Sequence, residues 1–357
     1  MLESHLSDKE LQRYNRHLLM AEFGTEAQVK LKNARVLVVG AGGLGCPCLL
    51  YLAAAGVGCL GVADGDTINL SNLQRQILYD TQDVGKSKAE TAKLKLAAKN
   101  PEIQIVTFGN LTRDNVMEIL PSFDLIVDGT DNFATRYLLN DACVILNKPY
   151  IYGALFKFEG HLSTFNLLDG PTYRCLYPEG PGANHVPACN EAGVLGVLPG
   201  IIGTMQAAEA IKVITGLGEP LNGKLLTVNV LSSQFETFHF HANPANKEIS
   251  SLGSYWESCN RAHYLIDLPS LQALIETDEI QLIDVREEDE FERFNIGGIN
   301  VPAAEFEEWA ENSLNKTLKT VVVCQTGNRS LTALEYLKVR FPNLEVYNLN
   351  GGLEKAF

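Results

Sequence analysis

The chain is short of basic residues, sparing with cysteine and without a long uninterrupted hydrophobic run. Each shortage excludes something. Lys and Arg number 29 against 43 Asp and Glu, a net charge of −14, so the basic footprint of a nucleic-acid or anionic-membrane binder is missing. The most apolar stretch, Gly193 to Gly203, is interrupted by Pro199 and several glycines, so no membrane span is expected. The opening Met1-Leu2-Glu3-Ser4-His5 lacks a basic segment leading into an apolar core, so no signal peptide is expected and the chain reads as cytoplasmic. Eight cysteines in 357 residues are too few for a disulfide scaffold and read as cytosolic thiols, one or two of them chemical. The rest is an ordinary folded composition, 46% hydrophobic, at a length that suits two domains.

Periodicity supplies the organisation. Ser7 and Glu10 form a capping-box pattern, followed by Leu11, Tyr14, Leu18 and Leu19 at helical spacing. The β-branched run Val36-Leu37-Val38-Val39 flows into a glycine-rich loop and a small-residue helix reaching about Gly58. Strands at Leu60 to Ala63, Ile103 to Thr107 and Leu125 to Val127, with a helix over Lys86 to Lys99, complete a βαβ rhythm and imply a mostly parallel, doubly wound α/β sheet. Between His241 and His263 the sequence turns polar and aperiodic. A second, shorter α/β rhythm follows, with strands Gln281 to Val285, Thr320 to Cys324 and Glu345 to Leu349 and helices Leu268 to Glu276 and Ser330 to Arg340. From Tyr264 onward there are 17 acidic and 8 basic side chains, a net of −9. The expected domains are therefore 1–245 and 264–357, with 246–263 as linker.

Gly40, Gly42 and Gly45 make a G-x-G-x-x-G pattern between a strand and a helix, where backbone N–H groups can receive a phosphate. Asp64, nineteen residues past Gly45, ends the second strand and suits a ribose hydroxyl. These features alone suit an NAD-dependent dehydrogenase. The residues beyond Asp64 point elsewhere. Ser71-Asn72-Leu73-Gln74-Arg75-Gln76, then Lys88 at a helix start, then Asp131 and Asn132 after another strand, place cations, amides and a metal-binding carboxylate near strand ends. That set suits a triphosphate with Mg2+ and is superfluous for hydride transfer.

With Arg13-Tyr14-Asn15-Arg16, the Gly-Ala-Gly-Gly-Leu-Gly loop, Asp64-Gly65-Asp66, Thr130-Asp131-Asn132 and Cys189-Asn-Glu-Ala-Gly-Val-Leu-Gly, residues 1 to 245 resemble the HesA/MoeB/ThiF adenylyltransferases, relatives of ubiquitin-activating enzymes. The resemblance implies a Rossmann-like ATP-binding domain that adenylates the C-terminal glycine of a small ubiquitin-like sulfur carrier, releasing pyrophosphate. It implies that Gly42, Gly43 and Asp64 hold the nucleotide and that Asn72, Arg75 and Lys88 bind its phosphates. It further implies that Asp131 binds Mg2+ and that Arg16 reaches the partner subunit's site in a homodimer. Ser71 and Asn132 complete the expected nucleotide set. Relatives also carry two Cys-x-x-Cys pairs for a structural zinc. Here the first is reduced to Thr172-Tyr173-Arg174-Cys175, and Ala245-Asn246-Lys247 stands where the second would fall, so no structural zinc is expected.

The second motif is Cys324-Gln325-Thr326-Gly327-Asn328-Arg329-Ser330, a cysteine at a strand end wrapped by a glycine-bearing loop at a helix N-terminus. Loop N–H dipoles and Arg329 favour a thiolate there. Four residues separate Cys324 from Arg329, one fewer than in cysteine phosphatases. That spacing, Leu282-Ile-Asp-Val-Arg286, Glu290-Phe291 and Gly351-Gly352-Leu353 resemble rhodanese domains; Asn295 replaces a usual His. The joint expectation is a persulfide on Cys324, loaded by a cysteine desulfurase or another donor, that attacks the carrier adenylate, with Cys189 as resolving thiol. Cys46, Cys48, Cys59 and Cys143 read as packing residues, and Cys259 stands in the linker. Molybdopterin-synthase adenylyltransferases fused to a rhodanese fit best. A thiamine-pathway or tRNA-thiolation carrier is the alternative within the class. A dehydrogenase and a non-catalytic carrier-docking scaffold are the readings outside it.

Overall fold

β1 (Arg35–Val39) is the strand on which the first half of the chain is organised. The computed structural model describes residues 5–178, 193–253, 255, 264–276, 280–341 and 343–356, which divide into two compact units, the first reaching 255 and the second starting at 264. The first unit adds β2 (Cys59–Ala63), β3 (Gln104–Phe108), β4 (Leu125–Asp128), β5 (Tyr150–Phe156), β6 (Glu159–Phe165), β7 (Lys224–Asn229) and β8 (Gln234–His239). They form one sheet in the order β3-β2-β1-β4-β5-β6-β7-β8. The pairings from β3 through β5 are parallel and the rest antiparallel. The doubly wound reading therefore describes β1 to β5, and the antiparallel extension is an addition to it. β1 and β4 are buried on both faces, which gives the continuous apolar runs visible in sequence. Val36 and Val38 pack with Leu52 and Leu96 on one side, Leu37 and Val39 with Phe123 and Leu139 on the other. The chain leaves β1 for β2 on one side and β4 on the other, opening a crevice at the strands' carboxyl ends.

The capping box at Ser7 and Glu10 is present, Ser7 N–H donating to Glu10 Oε2 at 2.7 Å. The helix it starts, Asp8–Arg13, stops at Tyr14 and resumes over Asn15–Leu18. Of the four periodic residues only Tyr14 is buried, its hydroxyl accepting from Asn100 Nδ2, while Leu11 and Leu19 are exposed. The sequence stripe is thus not a core face within one chain.

A correction concerns Gly193 to Gly203. Pro199 does not interrupt the segment, because it sits in the first turn of a continuous helix, Val197–Thr215, where a missing N–H leaves no bond unmade. By length and composition this helix could cross a membrane. It packs instead against β5, β6 and the Gly45–Ala55 helix, and Gly203 admits the Leu44 carbonyl where a Cβ would lie 2.2 Å from its oxygen. Residues expected as linker run along the first unit: Arg113 Nη2 donates to the Leu252 carbonyl, and the Tyr255 hydroxyl to Asp141 Oδ2 at 2.7 Å.

The second unit is a parallel sheet in the order β11-β10-β12-β13-β9, built from β9 (Leu265–Ile266), β10 (Ile280–Asp284), β11 (Ile299–Asn300), β12 (Lys319–Val323) and β13 (Val346–Leu349). Val322, Ile283 and Leu337 occupy one side of it, Val321, Leu282 and Leu271 the other.

Closure at β1 depends on two glycines. Gly40 has φ +90° and would place a Cβ 2.7 Å from the Gly129 oxygen; a Cβ on Gly45 would lie 1.9 Å from the Gly40 oxygen. Gly40→Ala and Gly45→Ala are each expected to lower stability by about 2–4 kcal/mol. Urea midpoints check this, with Gly200→Ala, which meets nothing within 4 Å, as the neutral comparison.

Candidate functional site

The crevice at the ends of β1, β2 and β4 collects most of the residues singled out in sequence. Gly40 and Gly45 are held tightly by backbone packing, whereas Gly42 and Gly43 have more room. A Cβ on Gly42 would meet only Gln76 Nε2 at 3.5 Å, so the space over the loop is open. Gly43 lies against Pro199 and Arg75 Cγ, and Arg75 Nη1 donates to the Ser71 carbonyl at 3.2 Å. Asp64 Oδ2 accepts from Ala41 N–H at 2.8 Å and Oδ1 from Asp66 N–H at 2.9 Å, which ties the loop to the end of β2. Burial raises the Asp64 carboxyl, against the pull of Lys88 and these N–H groups. Lys88 is buried at the start of the Lys88–Lys99 helix, and its ammonium pairs with Asp66 at 2.8 Å. The Tyr79 hydroxyl meets the Ala41 and Lys88 carbonyls, fastening loop to helix.

Three residues take other positions. Asn132 Oδ1 accepts from Thr135 N–H at 2.8 Å, so this side chain caps the Phe133–Ile145 helix. Asn72 Oδ1 likewise accepts from Asn69 N–H and closes a short turn. Arg16 is exposed on Asn15–Leu18 and is not among the residues these contacts join. Asp131 is exposed, immediately beyond Thr130 at the end of β4.

Beneath that loop lies a group that the sequence reading missed. Asp128 is fully buried and accepts from the Tyr150 hydroxyl at 2.5 Å and from Thr130 N–H and Oγ1 at 2.8 and 2.6 Å. Arg136, also buried, stands 3.9 Å from it, donates to the Thr130 carbonyl and lies over the Phe133 and Tyr152 rings. Gln206 Nε2 donates to the Asp128 carbonyl at 2.6 Å. Burial raises the Asp128 carboxyl, with Arg136 the chief opposing influence. A second Asp three residues before Asp131 was the available signal.

The remnant of the Cys-x-x-Cys pattern has a definite environment. Cys175 Sγ receives Asn243 N–H at 3.2 Å and Thr172 N–H at 3.4 Å, with Asn246 Nδ2 at 3.7 Å. Burial raises this thiol, but the donors outweigh it and the net shift is downward. Among the described residues, no group of three or more His, Cys, Asp or Glu is placed to hold a metal. Cys46, Cys48, Cys59 and Cys143 are buried packing thiols, Cys46 pushed up to about 12 by burial. Cys189 and Cys259 lie outside the described residues.

In the second unit Cys324 comes directly after β12 and is fully buried. Its Sγ receives Gly327 N–H at 3.1 Å and lies 3.2 Å from Ser330 Oγ. The Gly351-Gly352 turn folds back on this loop: Leu353 N–H donates to the Cys324 carbonyl and Glu354 N–H to that of Gln325, both at 2.9 Å. A Cβ on Gly352 would lie 2.5 Å from the Gln325 oxygen, which accounts for glycine there. Arg329 is not an isolated cation, since Nη1 and Nη2 bind the Glu290 carboxylate at 2.6 and 2.7 Å. Arg286 is buried, chelates Asp284 and reaches Gln325 Oε1 at 3.4 Å.

Residues 14–250 match the ThiF family and residues 267–356 match a rhodanese-like domain. Over 367 residues the chain is 40% identical to the probable adenylyltransferase/sulfurtransferase MoeZ of Mycobacterium tuberculosis, covering 98% of this chain and 93% of that protein. Adenylyltransferase and sulfurtransferase MOCS3 of Drosophila persimilis is 39% identical over 381 residues, covering 98% and 84%. Among solved structures, E. coli MccB with ATP is 25% identical with a TM-score of 0.59, covering 67% of this chain and 74% of that one.

The Arg329 guanidinium holds the Glu290 carboxyl down to about 2 from 4.5. A carboxyl lowered on folding stabilises fully above its unfolded value, and that contribution fades as pH falls from 4.5 toward 2. Thermal midpoints of the native chain and Glu290→Gln should differ near neutrality and converge through that window. A difference that persists unchanged to its acid end would assign the effect to packing.

Proposed function

The chain belongs to the ThiF family, with a rhodanese-like domain behind it, and on that premise we propose an enzyme that activates the C-terminal glycine of a small ubiquitin-like sulfur carrier with ATP and converts it to a thiocarboxylate. The observation that carries this is the pairing, in one chain, of a glycine-lined crevice bearing Asp64, Arg75 and Lys88 with a cysteine enclosed by a donor loop.

In the first step a carrier carboxylate oxygen attacks the α-phosphorus of ATP, and pyrophosphate leaves. The carboxylate is itself the nucleophile, so no protein base is required. Asp64 would accept a ribose hydroxyl, the Gly42–Gly43 backbone would receive phosphate oxygens, Arg75 and Lys88 would offset the charge of the leaving group, and Asn72, whose oxygen closes a turn, would contribute only a neutral amide N–H. Asp131, a single exposed carboxylate beside that space, would be the residue to hold Mg2+, and the ion would supply further charge neutralisation. Arg16 then acts in the crevice of a second copy. The exposed Leu11, Leu19 and Met20 around it are what a homodimer would cover.

In the second step the outer sulfur of a Cys324 persulfide, loaded by a cysteine desulfurase, attacks the acyl-adenylate carbonyl, and AMP leaves. Cys189 attacks Cys324 Sγ, releasing the carrier thiocarboxylate and leaving a disulfide that an external dithiol reduces. Residues 1–245 carry the first activity, 264–357 the second, and 246–263 connect them. A carrier of molybdopterin-synthase type is the first candidate; a thiamine-pathway or tRNA-thiolation carrier leaves the chemistry unchanged. The six described cysteines are free thiols, which accords with a reducing cytoplasm.

Asp131→Ala is expected to lower carrier-dependent ATP–pyrophosphate exchange by about 100-fold or more, and unaltered exchange removes the metal role. Cys324→Ser should leave that exchange intact and stop thiosulfate:cyanide sulfur transfer. Retained transfer would place the persulfide on another cysteine.

A further inference from the structure

Ser330 presents one hydroxyl proton to two acceptors. Its Oγ lies 3.2 Å from Cys324 Sγ and 2.7 Å from Asn348 Oδ1, and all three side chains are buried. The orientation of the Asn348 amide settles which acceptor receives that proton. Asn348 Nδ2 donates to the Gly327 carbonyl at 2.9 Å, so a flipped amide would set oxygen against oxygen there. The amide oxygen therefore faces Ser330 and can only accept. Ser330 Oγ is the donor toward both acceptors, and with one proton to give, the shorter contact, 2.7 Å to Asn348 Oδ1, takes the larger share and leaves the sulfur the weaker one at 3.2 Å. Arg329, at the start of the Asn328–Arg340 helix, Glu290 from the Glu288–Arg293 helix with Glu287 just before it, Arg286 with Asp284 from the end of β10, and Glu354 beyond the Gly351-Gly352 turn are the charged groups around this loop among the described residues.

We propose that Asn348 is a positioning residue that withholds the Ser330 proton from Cys324, so that a sulfur anion in the loop obtains that hydrogen bond only by leaving the Asn348 oxygen unpaired in the interior. Ionisation of Cys324 exchanges a good neutral hydrogen bond for a charge-assisted one, and the two nearly offset. Asn348 makes no hydrogen bond to the sulfur; it acts through the Ser330 hydroxyl, and its second bond, to the Gly327 carbonyl, holds the loop whose N–H meets Sγ, a route the Ser330→Ala background separates out. The proposal rests on Cys324 being the sulfur-carrying thiol. Its primary readout is the ionisation of that thiol, which is measured whether or not sulfur transfer is observed.

The measurement is the ultraviolet thiolate absorbance of the full chain against pH, each variant compared with the same variant carrying Cys324→Ser. Asn348→Ala frees the hydroxyl and is expected to move the Cys324 titration down by about one pH unit, ~tenfold more thiolate below the midpoint. The pH profile of thiosulfate:cyanide transfer should move with it. In a Ser330→Ala background the same substitution adds no shift, and Ser330→Thr, which keeps a hydroxyl, restores it. A loosened loop would alter both backgrounds alike. No downward shift with Asn348→Ala, or a shift that survives removal of the hydroxyl, overturns the proposal. Asn348→Leu is made in parallel. Should neither fold, Ser330→Ala alone decides: a small shift supports the withheld proton, and a rise of about one unit shows that Ser330 already serves the sulfur.

Discussion

A strand buried on both faces must turn at its end and find partners for the backbone N–H groups it frees, and here the same carboxylate device supplies one three times. Asp64 after β2, Asp128 at the end of β4 and Asp284 at the end of β10 each accept, through Oδ1, the N–H of the residue two positions on, at 2.9, 2.8 and 3.0 Å. The second oxygen of each reaches further. Asp64 holds the glycine loop through Ala41, Asp128 holds Tyr150, and Asp284 chelates Arg286. Both candidate sites stand on loops fixed in this way.

Such turns carry a stake in stability. Asp128 and Asp284 are inaccessible to solvent, and their partners Arg136 and Arg286 are nearly so. Removing one member of a buried pair costs about 3–5 kcal/mol because the other charge is left uncompensated. Thr130, between Asp128 and Asp131, is bound on both sides, by Asp128 and by Arg136. The position of Asp131 in the crevice is therefore set by groups that no solute touches.

How much could be read from sequence depends on how local the determining interaction is. β1, β2 and β4 declared themselves because double-sided burial forces unbroken apolar runs, and Gly40 and Gly45 because backbone contact excludes any side chain. The Leu268–Glu276 helix has the bounds its pattern suggests. β8, exposed throughout, gives no run, whereas the buried run Tyr150 to Ala154 of β5 was present in the sequence and went unread. The Val197–Thr215 helix was hidden by a proline whose place in the first turn only the structure reveals. At the sites, residue types were legible but partners were not. Lys88 with Asp66, Arg329 with Glu290 and Ser330 with Asn348 join positions 22, 39 and 18 apart, distances over which no periodic pattern operates.

The pairing of Lys88 with Asp66 changes what anion recognition means in this crevice. A phosphate arriving there does not meet a bare cation. On the proposed reading it would have to displace a carboxylate already in place, and Asp66, largely exposed, is free to pass into solvent. Arg329 and Glu290 set the same terms in the second unit. Affinity then measures the difference between two ion pairs rather than the strength of one. Salt weakens incumbent and newcomer together, so recognition by exchange is buffered against ionic strength in a way that capture by an unpaired lysine would not be.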